Sequence, residues 1–362
     1  MDDRVREHAE TLVDWSARVE AGDRVVVSVA EGAHDLAVAV AAALGERDAT
    51  PIFLYDADEV SRAYLRATDE ATLADPADDH ELALYERADV TLRLGGGRNR
   101  AALADVPASA RQASARGEKP VREARLDTDW VSTVHPTRSL AQGAGMAYEE
   151  YRDFVYDAVL RDWAALADEM AALKEVLDAG SEVRLVADDT DVRLDVEGRV
   201  AVNSAASVAY DSHNLPSGEV FTAPAGAEGE VRFDVPMTVD DRRVRNAWLR
   251  FEDGEVVDAD ADEGSEALES VLATDEGARR LGELGVGTNR GITRATDSIL
   301  FDEKMAGTVH LALGRAYDAC VPDGTGNDSA VHVDLITRMG EGSRIEVDGE
   351  VVQRDGELTT GR

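Results

Sequence analysis

Hydrophobic and polar positions follow two different rhythms along the chain. In the first third, short apolar runs rich in β-branched residues lie at 25–29, 51–55 and 89–94. Runs of this length and composition predict buried strands. An Ala-rich stretch at 34–47 and a polar stretch at about 57–70 have helical periodicity and separate the first strands. Strands alternating with helices predict a parallel sheet with βαβ crossovers. Gly95-Gly96-Gly97 follows the third strand, but it lacks the spacing of a dinucleotide fingerprint and no Gly-Lys-Ser/Thr follows it, so it is read as a turn. Between 148 and 180, Tyr151, Phe154, Val155, Val159, Leu160, Trp163, Leu166 and Met170 recur at helical spacing. They predict a core-facing stripe on a long helix, broken once, that joins the halves.

After Gly180 the rhythm changes to short β-patterned runs near 182–187, 191–195, 199–202, 229–235, 247–251 and 254–258, divided by turn signals such as Asp188-Asp189 and Asp253-Gly254. Helices are expected at 263–273 and 276–282, and further strands near 283–286, 308–313, 330–336 and 344–352. The expected fold is α/β: an N-terminal α/β domain, 1–177, with a mostly parallel sheet and the connecting helix, then a β-rich α+β domain, 178–362, that carries the chemistry.

Length agrees with two domains, since 362 residues at about 150 per domain gives roughly two. No window approaches the roughly 18 consecutive apolar residues of a membrane span. The N-terminus has no apolar core of a signal peptide, so the cytoplasm is the expected location. The formal net charge of −36 opposes binding to phosphate backbones and to anionic membrane surfaces. No nucleic-acid or membrane partner is expected. Lysine occurs only at 119, 174 and 304, and arginine supplies the remaining basic residues. The acidic excess runs along the whole chain, as at 258–263, which predicts a solvated acidic surface and a halophilic protein whose self-repulsion is relieved by concentrated salt. The one cysteine, Cys320, excludes an intrachain disulfide and a thiolate cluster, and it is read as a small buried residue.

Of the seven histidines, His310 and His332 lie in apolar, strand-like stretches, where an imidazole needs partners for both nitrogens. His332 and Asp334 are two apart and share a strand face. That placement suits either a metal or a plain hydrogen bond. Glu219 and Glu283 are lone acids among small and apolar residues, where an unpaired carboxylate is costly. Two histidines and three carboxylates without thiolates suit Zn²⁺, Co²⁺, Mn²⁺ or Mg²⁺. Five ligands exceed what one hydrolytic ion usually takes and fit two ions about 3.5–4 Å apart with a shared carboxylate.

The segments carrying these residues resemble the M29 family of metallo-aminopeptidases, the aminopeptidase T group. The resemblance rests on Asn-Leu-Pro-Ser-Gly-Glu-Val-Phe-Thr-Ala-Pro at 214–224, Gly282-Glu283-Leu284, Gly287-Thr288-Asn289, the stretch 302–314 with Tyr317 after it, and Ser329-Ala330-Val331-His332-Val333-Asp334-Leu335. It implies that Glu219, Glu283, His310, His332 and Asp334 bind two divalent ions. It also implies that Tyr317 is an active-site tyrosine donating a hydrogen bond to the oxyanion, and that the substrates are short peptides entering the enclosed sites of a homodimer. Glu283 is taken as both shared ligand and general base, a role for which Glu219 is equally placed by sequence. The alternative is a non-haem Fe(II) ring-cleaving dioxygenase of the dihydroxypyridine type, which resembles the same fold family and needs only His310, His332 and Asp334 as a facial triad. It leaves Glu219 and Glu283 without a purpose. A non-catalytic binding protein leaves all five without one.

Overall fold

The computed structural model describes residues 2–75, 79–239, 242–322 and 324–360. They form a mixed α/β structure that divides into two units, Met1–Leu160 with Ala206–Pro216, and Arg161–Ala205 with Ser217–Arg362.

The first unit holds a five-stranded sheet in the order Thr50–Asp56, Arg24–Ala30, Val90–Gly95, Asp129–Val134, Asn214–Leu215, every pair parallel. Val25, Val26, Val27 and Val29 are all buried, the continuous apolar run that a strand covered on both faces requires. The crossover helix His34–Glu46 buries Leu36, Ala37, Val40 and Leu44, an i, i+1, i+4, i+8 stripe against the core. Gly95 closes its strand, and Gly96 follows at φ +141°. At Gly32 a side chain would collide with the Gly96 carbonyl, so the two loops pack backbone to backbone.

The strand Asp129–Val134 and the helices Ala108–Gly117 and Lys119–Leu126 had no counterpart in the sequence reading. The expected break in the 148–180 stretch is real: Tyr148–Val159 and Trp163–Ala179 are separate helices, and the Asp162 carboxylate caps the second by accepting from the Ala165 amide at 3.0 Å. The division between units differs from the expected 177/178 boundary. It falls at Leu160/Arg161, and a later segment returns to the first unit. The reason is packing. Asn203, on a strand of the second unit, donates to the Ala167 carbonyl of the Trp163–Ala179 helix at 2.9 Å, while Asn214–Leu215 adds to the parallel sheet.

The second unit is built from antiparallel strands. An eight-stranded sheet runs Glu255–Asp260, Ala247–Glu252, Gly226–Phe233, Thr190–Asp195, Glu182–Ala187, Arg344–Val347, Glu350–Arg354, Glu357–Leu358. Several of its hairpins turn at Asp-Gly pairs, at 253–254, 348–349 and 355–356, where both residues have φ > 0, as type I′ turns require. A five-stranded sheet runs His332–Arg338, Thr308–Gly314, Leu281–Gly287, Glu219–Thr222, Val202–Ser204. The expected helix 276–282 is a correction. Only a 3₁₀ turn forms, Gly277–Arg279, and the fully buried strand Leu281–Gly287 starts at once, because pairing with strands on both sides overrides local helical preference.

Candidate metal centre

Register explains how five residues spread over more than a hundred positions come together. Residues paired directly across neighbouring strands share a face. Glu219 pairs with Gly287, Gly285 with His310, and His310 with Ile336. Glu283 pairs with Ala312, and Ala312 with Asp334. With the period of two along each strand, Glu219, Glu283, His310, His332 and Asp334 all project from one face. Small residues alternate with the large ones. A side chain at Gly285 would occupy the His310 ring itself, so the glycine makes room for the imidazole. Ala312 does the same between Glu283 and Asp334.

Glu219, Glu283 and His310 are buried, and the side chains of His332 and Asp334 are only 26% and 11% exposed. His310 Nε2 lies 2.9 Å from Glu283 Oε1 and 3.7 Å from Glu219 Oε2. His332 Nε2 lies 3.6 Å from Glu283 Oε2 and 3.5 Å from Asp334 Oδ1. Each Glu283 oxygen therefore faces a different histidine.

The other ring nitrogens fix the tautomers. His310 Nδ1 donates to the Glu303 carbonyl at 3.1 Å, and His332 Nδ1 donates to the Arg315 carbonyl at 2.8 Å. A carbonyl only accepts, so each Nδ1 carries a proton, and each ring turns Nε2 towards the carboxylates, where it donates when protonated and offers a lone pair to a cation when neutral. His310 Nε2 is within hydrogen-bond distance of Glu283 Oε1 at 2.9 Å, so a proton on that nitrogen or a cation beside it satisfies the facing carboxylates. Glu219 Oε2 and Asp334 Oδ1 are also buried without a hydrogen-bond partner, where such atoms are ordinarily satisfied. The donor set fits a divalent ion, and among the described residues two groups qualify: Glu219, Glu283 and His310, and Glu283, His332 and Asp334, with the ligand atoms of each within 4.8 Å of one another.

Protons stand in for such ions in the electrostatics. Burial raises the Glu283 pKa, aided by Asp334 and Glu219 and opposed by the His310 contact. Burial also works against a charged His332, yet Asp334 and Glu283 prevail and raise it to about 9. His310 is raised against its burial by Glu283, Glu219 and Asp334.

Tyr317 is half-exposed at the start of a 3₁₀ turn. Its ring meets His332 edge-on at 5.1 Å and Phe221 at 5.7 Å between centroids. A cavity of about 280 Å³ opens off His332 and Asp334, with Met237, Val239, Ile299 and Ile336 in its walls. Sequence reasoning missed Lys304, whose side chain is wholly buried, 3.5 Å from Glu219 Oε1 and in closer contact with Glu303. The signal was available: it is one of only three lysines, and it lies between the site segments.

A family model described as thermophilic metalloprotease (M29) matches residues 1–358. Aminopeptidase T of Thermus thermophilus is 29% identical over 96% of this chain and 95% of its own length. Aminopeptidase 2 of Geobacillus stearothermophilus is 31% identical over 63% of this chain, which spans 62% of that relative, under two thirds of its length. The solved structure of wild-type AmpT from Thermus thermophilus matches at a TM-score of 0.86 and 25% identity, covering 99% of both chains. With a family match over nearly all its length and a buried cage of histidines and carboxylates, the chain belongs to the M29 metalloprotease family.

Proposed function

We propose that this chain is an aminopeptidase that removes N-terminal residues from short peptides with two divalent ions, one held by Glu219, Glu283 and His310 and the other by Glu283, His332 and Asp334. The observation that carries the reading is Glu283, whose two oxygens face different histidines and which belongs to both ligand groups. Bound ions supply an activated water and a polarised carbonyl at neutral pH. Relatives named aminopeptidase support exopeptidase action.

The residues have distinct tasks. Carboxylates at 219, 283 and 334 would hold the two ions and offset their charge, and the substrate's free amine would bind one ion in its neutral form. Glu283 Oε1 and Oε2 hold the two groups in register, and Glu283 takes a proton during attack and returns it to the leaving amine. Tyr317, packed on His332 at the exposed side, donates a hydrogen bond from its hydroxyl to the developing oxyanion. The apolar cavity beside His332 and Asp334 accommodates a substrate side chain and keeps water from it. Assembly as a homodimer and action in the cytoplasm complete the reading. Among the described residues no helix is long and apolar enough to cross a membrane.

The dioxygenase alternative requires His310, His332 and Asp334 as one triad. Here His310 is grouped with the glutamates instead, and the family match speaks for peptide hydrolysis. Metal analysis together with an aminoacyl p-nitroanilide assay tests the proposal. About two divalent ions per chain and release of the N-terminal amino acid are expected. One iron per chain with oxygen uptake and no peptidase activity would overturn it.

A further inference from the structure

The two ligand groups are not equivalent, and the difference is centred on Lys304. Its side chain is fully buried, a placement that is strongly unfavourable for an ammonium unless it is paired. It has two partners, Glu303 and Glu219 Oε1 at 3.5 Å. Glu219 Oε2, the oxygen Lys304 does not engage, is the one without a hydrogen-bond partner, and it faces His310 Nε2 at 3.7 Å. Lys304 therefore selects which oxygen of Glu219 points into the centre.

The same segment also holds the second ligand of that group, because His310 Nδ1 donates to the carbonyl of Glu303. The chain can run this close because Gly287, paired with Glu219 across the sheet, has no side chain. A Cβ there would collide with the backbone of Lys304 and Met305. The other group differs in its setting: His332 is likewise oriented by a backbone carbonyl, that of Arg315, but His332 and Asp334 border the open cavity.

We propose that Lys304 is a positioning residue for one of the two metal sites: with Glu303 it clamps Glu219 and His310 into a closed site, distinct from the cavity-facing site at His332 and Asp334. The inference rests on the two-ion reading above. Groups outside the direct ligands typically account for about 10–100-fold in metal affinity. Lys304 contacts Glu219, while its charge is only a minor influence at Asp334, so removing it is expected to act mainly on the ion at Glu219 and His310.

The test is metal stoichiometry and affinity, by mass spectrometry of the metals and calorimetric titration of the metal-free protein with Co²⁺ and Zn²⁺. Lys304→Met is compared with the double variant Lys304→Met/Glu303→Gln, which keeps the Glu303 carbonyl and leaves no lone buried charge from the pair, so that it decides the matter if the single variant misfolds. His332→Asn serves as the opposite control. The expected result is two ions in the wild type. In the Lys304 variants one site is weakened about 10–100-fold and the other much less, whereas His332→Asn weakens chiefly the complementary site. Wild-type affinities at both sites of the Lys304 variants, or an equal loss at both, would overturn the clamp. A wild type that binds no second ion would overturn the two-ion reading itself, a distinguishable failure.

Discussion

Glu283 carries the densest set of interactions in the centre: a histidine on each oxygen, near-complete burial and like charges at Asp334 and Glu219. Glu283→Gln keeps the shape and removes the charge that both ligand groups share. Its kcat should fall by about 10²–10⁴-fold, the usual range for losing a proton-transfer group, with loss of bound metal. Full kcat with two ions bound would remove Glu283 from its role. Far from the centre, His8 gives a separate test. Its Nε2 donates to Thr133 Oγ1 at 2.7 Å, since that hydroxyl's own proton goes to the Leu215 carbonyl. Burial lowers the His8 pKa to about 3. The unfolded chain takes up a proton below about pH 6.5 and the folded one does not, so stability falls as pH drops through that window. Between pH 7 and 5 the loss is about 2 kcal/mol. His8→Gln should flatten the denaturation midpoints over that range, and an unchanged slope would exclude His8 as the cause.

Strands with small residues opposite large ones made the site possible, and this layer was only partly legible in the sequence. Lone acids in the strand-like stretches around 219 and 283, and the i, i+2 pair of His332 and Asp334, could be read because burial of an isolated charge is informative by itself. The partners that orient them could not. Arg315 and Glu303 act on the histidines through backbone carbonyls, which carry no sequence signature, and Lys304 matters only through folding contacts. Strand Leu281–Gly287 was partly misread as helix because its pairing is non-local. Asp129–Val134 was missed because its burial is uneven. Gly285 tests the element directly. Gly285→Ala places a methyl in the His310 ring, and overpacking of this kind costs about 1–3 kcal/mol. Calorimetry should show a lower Tm and loss of metal affinity. A variant that binds two ions normally would mean that His310 does not need its present position.

At the scale of the whole molecule, surface charge is the dominant feature. The formal net charge of −36 gives a self-repulsion that salt screens, with the Debye length shrinking from about 10 Å at 0.1 M to about 3 Å at 1 M. Surface ion pairs such as Arg24–Asp89 at 2.7 Å contribute little each, so they cannot offset it. Tm should climb as KCl is raised across that range and beyond, and a flat or falling series would contradict the halophilic reading. The parallel first half and the β-rich second half were legible from periodicity, whereas the return of Ala206–Pro216 to the first unit was not, because a two-residue strand leaves no pattern. Metal location tests the central claim most directly. Crystals grown with Co²⁺ or Zn²⁺ and measured at the absorption edge should show two anomalous peaks, one among Glu219, Glu283 and His310 and one among Glu283, His332 and Asp334. No peak in that cage, or a single ion bound by His310, His332 and Asp334 without Glu283, would contradict it.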